Sequence, residues 1–140
     1  MIDQLIDLLR EKYGITAPGA DLLFSQAFEV MMTDVIDGVH IGQGVIDGVE
    51  CEHLAFRNPD TDWQIWIEAG ARPIPRKYVI TAKTVTGAPQ YTLRIKDWRT
   101  EVPADAFAFN PSQGAKKVAL GDHMDIDEVP QGTVAAGGKK

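Results

Sequence analysis

At 140 residues the chain is long enough for one domain of ordinary size. Its hydrophobic fraction of 44% and charged fraction of 24% fit a soluble globular protein, and no stretch approaches the roughly 18 apolar residues of a membrane span, so an integral membrane protein is not expected. The net charge of −6 repels phosphate backbones, and the densest basic group, Arg72, Arg76 and Lys77, accompanies no nucleic-acid-reading motif, so no nucleic acid is expected as a partner.

The opening Met1-Ile2-Asp3-Gln4 has neither the basic nor the apolar region of a signal peptide. Ile2, Leu5, Ile6, Leu9 and Tyr13 then recur at spacings of three and four, which predicts an amphipathic helix ending at Gly14. Asp3 and Asp7 lie early and Lys12 late, as the helix dipole favours, and Pro18 follows the stop. A second helix is expected from Ala20 to about Thr33. Its buried side would carry Leu23, Phe24, Ala27, Phe28, Met31 and Met32, with the Met pair read as core packing rather than as a ligand lining.

At Val35 the period changes. Val35-Ile36-Asp37-Gly38-Val39 recurs as Val45-Ile46-Asp47-Gly48-Val49, and Asp-Gly between β-branched residues is a strong hairpin signal, because a type I′ turn needs positive φ at both central positions. Asp47-Gly48 should join a strand at about 39–46 to one at about 49–57, with Asp37-Gly38 as the turn feeding the first. Gly42 and Gly44, inside that strand, mark a bulge or a close backbone approach. Asn58-Pro59-Asp60, Gly70 with Pro73, and Gly87-Ala88-Pro89 punctuate further strands at 62–68, 75–83 and 90–98. A short last strand is expected at Phe107-Ala108-Phe109. Connections this short imply antiparallel neighbours.

Alternation along these strands gathers Leu54, Phe56, Trp63, Ile65, Ile67, Tyr78, Ile80, Tyr91, Leu93 and Ile95 on one face. Gln64, Glu68, Lys77, Thr81, Lys83, Thr92, Arg94 and Lys96 fall mainly on the other, and Trp63 and Trp66 should lie on opposite faces. An apolar face of that extent must be covered, and the N-terminal helices are the available cover. The fold class expected is α+β: a curved antiparallel meander sheet over about 39–110, with helices over about 2–33 packed on one face. Residues 1–120 would form a single domain and 121–140 a disordered tail, where acidic residues give way to a Gly/Ala/Lys-rich end.

Catalytic and metal chemistry find little support. A single cysteine, Cys51, forbids an intramolecular disulfide. Cys51 and His53 would share a strand face, a geometry suited to a metal, but no second Cys/His pair completes a tetrahedron. There is no nucleophile elbow around Ser25 or Ser112 and no phosphate-cradling loop. Neither an enzyme, a metal nor a cofactor is expected.

The strand residues carry a family resemblance. The segments Gly48 to Arg57, Asp62-Trp63-Gln64-Ile65-Trp66-Ile67 and Pro73 to Thr81 resemble a bacterial family of predicted periplasmic proteins, domain of unknown function 2092. Pro89-Gln90-Tyr91, Asp97-Trp98, Phe107-Ala108-Phe109-Asn110-Pro111 and Gly114-Ala115 fit the same pattern, so the resemblance runs to about Lys117. It implies a relationship to the LolA/LolB-like lipoprotein carriers, which are incomplete antiparallel barrels whose concave apolar face holds acyl chains. It also implies a periplasmic location, and it makes this chain similar to the C-terminal portion of longer family members. The ten apolar face residues then become ligand-contacting candidates, for a lipid, an acylated protein or another apolar ligand. The alternative is a scaffold or protein-interaction module whose apolar face is only core. A partial sheet also leaves an unpaired edge, which favours a homodimer or a swapped oligomer.

Overall fold

A computed structural model describes residues 2–117. Two helices, α1 (Ile2–Tyr13) and α2 (Ala27–Met32), flank a 3-10 turn at Ala20–Leu23. Five strands follow: β1 (Asp37–Ile46), β2 (Val49–Arg57), β3 (Thr61–Glu68), β4 (Pro75–Ala82) and β5 (Gln90–Arg94). They pair antiparallel in chain order and leave the sheet open, with β1 and β5 as its edges. The fold is α+β. The chain divides into a first unit ending at Trp98 and a second beginning at Arg99.

Turn chemistry sets the first hairpin. Asp47 (φ 49°) and Gly48 (φ 82°) both occupy the left-handed region, as a two-residue type I′ connection requires. Register then runs from Ile46 opposite Val49 to Asp37 opposite Arg57, with a bulge at Ile41 between His40 and Gly42. The bulge anticipated from the glycines is therefore present. A second irregularity, between Trp66 and Ile67 of β3, leaves Arg76 of β4 without a direct partner there.

Several expectations need correction. Asp37-Gly38 is not a turn but the start of β1; the reversal occurs just before, where Asp34 takes φ 61°. Gly38 is instead a close-approach position, since a Cβ there would meet the Phe56 ring at 2.9 Å. The second helix is not continuous from Ala20 to Thr33. It breaks at Phe24–Gln26, where the Ser25 backbone N–H and Oγ donate to the Asp3 carboxylate at 3.3 and 2.8 Å. A serine whose groups are engaged by a side chain from α1 has an alternative to the helical ladder.

The sheet ends at Arg94 rather than near Asn110. Within the second unit, Phe107-Ala108-Phe109 is not a strand. Ala106 N–H donates to Pro103 O and Ala108 N–H to Asp105 O, a pair of local turns, and both phenylalanines are exposed. Three alternating residues without a partner strand hold no ladder. The tail expected at 121–140 lies outside the described residues.

Helix α1 also turns its stripe differently. Ile6 is buried and Leu9 and Tyr13 half-buried, while Ile2 and Leu5 face solvent. Its link to the 3-10 turn is an ion pair, Arg10 Nη2 to Asp21 Oδ1 at 2.9 Å.

Candidate ligand-binding face and its cover

Cross-strand register brings the candidate residues together in rows. Phe56, Trp63, Ile80 and Tyr91 are paired in succession across β2 to β5, and Leu54, Ile65, Tyr78 and Leu93 form the next row. Trp63, Ile65 and Tyr78 are buried at the centre, with Leu54, Phe56, Ile67, Ile80 and Leu93 packed around them. Phe56 stacks on Trp63 at 4.1 Å between ring centroids, and Tyr78 meets Trp63 edge-on at 5.8 Å. The indole N–H of Trp63 donates to Asn58 Oδ1 at 2.9 Å, so the buried ring keeps its polar atom satisfied at the sheet margin.

Two of the ten candidates stand apart. Tyr91 is in register with Ile80 but 45% exposed, because among the described residues β5 is an edge strand. Ile95 lies beyond β5 and lines a different hollow, beside Ile46, Val49 and Arg76.

The cover comes from Leu22 of the 3-10 turn, Met31 and Met32 of α2, and Val35 of the following link. All four are half-buried. Leu23 and Phe28, expected on the buried side, instead point outward at 54% and 76% exposure. A single helical phase read through Ser25 places them inward, whereas the helix breaks there on a contact from Asp3, 22 residues away. The same break hides Leu22, while Val35 lies in the link after α2, outside any helical phase. Gly19 (φ 84°) carries the chain down onto β5, and a Cβ there would stand 2.8 Å from Leu93. Burial, with a smaller push from Asp21, raises the Tyr78 phenol to about 12. The hydroxyl is thus held neutral beneath the cover.

The opposite face is polar but not empty. Trp66 lies there, stacked on His53 at 4.0 Å and capped by Lys77 Nζ at 4.4 Å from its centroid. His53 Nε2 bonds Gln64 Oε1 at 2.8 Å. Cys51 does share this face with His53, but it is fully buried and its Sγ donates to Val49 O at 3.4 Å. Burial pushes its thiol up, away from the thiolate that nucleophilic or metal chemistry uses. Among the described residues no three His, Cys, Asp or Glu side chains gather as a metal site would need. Arg76 Nε donates to Glu68 Oε2 at 3.0 Å, and Arg94 Nη1 reaches Asp47 Oδ1 at 2.8 Å, tying β5 to the tip of the first hairpin.

No helix among the described residues is long and apolar enough to cross a membrane. No curated protein and no solved structure matches the chain. Residues 1–121 do match one family model, described as predicted periplasmic protein, and by that extent of match the chain belongs to this family, DUF2092.

Proposed function

We propose that this is a non-enzymatic envelope protein that binds a lipid, an acylated protein or another apolar ligand between the sheet and its helical cover, in the manner of a LolA-like partial barrel. The observation that carries the reading is the mismatch between face and cover. A sheet face with three buried residues is closed by four side chains that are each only half-buried. A fully buried large apolar side chain contributes roughly 1.5–3 kcal/mol, so this cover is held by only a few kcal/mol and a ligand of modest apolar area can displace it. The family's description as predicted periplasmic supports an envelope location.

A scaffold reading is favoured by one observation: Trp63, Ile65 and Tyr78 are already packed, as core residues would be. Native mass spectrometry of freshly purified protein separates the two. A co-purifying adduct of lipid mass, lost on delipidation and regained with phospholipid, supports the carrier. A clean apo mass, together with no binding of a hydrophobic dye, supports the scaffold.

A further inference from the structure

Beneath the first hairpin's tip lies a hollow of about 380 Å³, lined by Ile46, Asp47, Val49, Arg76, Ile95 and Lys96. That is within the roughly 300–1,000 Å³ of small-molecule sites. At ~30 Å³ per water-sized group, it holds about a dozen non-hydrogen atoms. We propose that this hollow binds a small amphipathic anion, a carboxylate on a short apolar chain. The site is distinct from the Trp63–Tyr78 cluster and does not depend on that cluster's having a ligand.

Its walls divide by chemistry. Ile46, Val49 and Ile95 present aliphatic surface, while Arg76 and Lys96 place cations at the margin. Of the three charged lining residues, Asp47 is engaged by Arg94 at 2.8 Å and Arg76 by Glu68 at 3.0 Å. The third, Lys96, makes no hydrogen bond or ion pair among the described residues. A site with aliphatic walls and one uncompensated ammonium, in a chain of net charge −6, selects an anion with an apolar body over a cation of the same length.

The Arg94–Asp47 bridge ties the lining residue Asp47 to the strand that leads into Ile95 and Lys96. It joins the β1–β2 tip to β5, two elements that are not neighbours in the sheet. The ligand's tail would lie against Ile46, Val49 and Ile95, with its carboxylate toward Lys96.

The test is methyl-resolved NMR of the full chain titrated with octanoate, and in parallel with octyltrimethylammonium. Saturable shifts centred on Ile46, Val49 and Ile95 with octanoate, absent or much weaker with the cation, are expected. Lys96→Glu, at an exposed position that leaves the remaining methyl spectrum in place, should weaken octanoate about tenfold, as the loss of one charge-assisted contact implies. Shifts centred on Leu54, Ile65 and Leu93, an equal response to the two amphiphiles, unchanged affinity in Lys96→Glu, or no saturable shift at all would each overturn the proposal.

Discussion

Tyr78 is the residue on which face and cover meet. It is 4% exposed, edge-on to Trp63 and close enough to Asp21 of the 3-10 turn to feel its charge. Its phenol is raised from 10.0 to about 12, first by burial and then by Asp21. The unfolded chain therefore releases this proton near pH 10 while the folded chain retains it, so the fold binds the extra proton and loses stability as pH rises. The stability is intact below pH ~10 and falls by about 2 to 3 kcal/mol on passing to pH ~12. Urea unfolding at pH 8 and at pH 11.5 should show this loss in the native chain. Tyr78→Phe should reduce the difference between the two pH values, leaving the part due to lysine ion pairs such as Lys83–Asp62.

At the scale of elements, the strands were legible because each ends on local chemistry. Asp47-Gly48, Asn58-Pro59, Gly70 with Pro73 and Gly87-Ala88-Pro89 bound β2 to β5 to within a few residues of the observed limits. Two failures, at the first turn and in the second helix, were non-local. Asp37-Gly38 looks like a turn until Phe56, from the neighbouring strand, is found against Gly38. The second helix looks continuous until Asp3 binds Ser25. The face was readable for the same reason as the strands, since alternation with correct bounds places Leu54, Trp63, Ile65 and Tyr78 without further information. Tyr91 and Ile95 escaped because sequence alternation carries no knowledge of where an edge strand lies exposed or where β5 ends. The cover includes one tight approach, Gly19 over Leu93. Gly19→Ala would put a methyl group 2.8 Å from a Leu93 carbon at a positive φ, costing roughly 1–3 kcal/mol. If the cover is a separable layer, this variant should bind a hydrophobic dye more strongly while the sheet's circular dichroism is kept.

For the whole molecule, an open sheet with two edges has consequences for association. Among the described residues strand β1 presents an unpaired edge, and Val39, Ile41 and Val45 along it are each more than half exposed. Exposed apolar side chains on an unpaired edge favour pairing with a second copy. Light scattering at micromolar concentration should report a mass above that of one chain, and Val39→Lys with Val45→Lys should return it to the monomer value. The proposed binding of a ligand belongs to the same scale, because it requires sheet and cover to separate as bodies. Trp63 sits inside the proposed site, whereas Trp66 lies on the opposite face under Lys77. The most direct measurement is therefore fluorescence of a Trp66→Phe, Trp98→Phe chain titrated with phospholipid brominated in its acyl chains. Saturable quenching of Trp63, absent with the unbrominated lipid, is the result predicted. Undiminished Trp63 emission from folded protein at saturating lipid would contradict a ligand between the sheet and its cover.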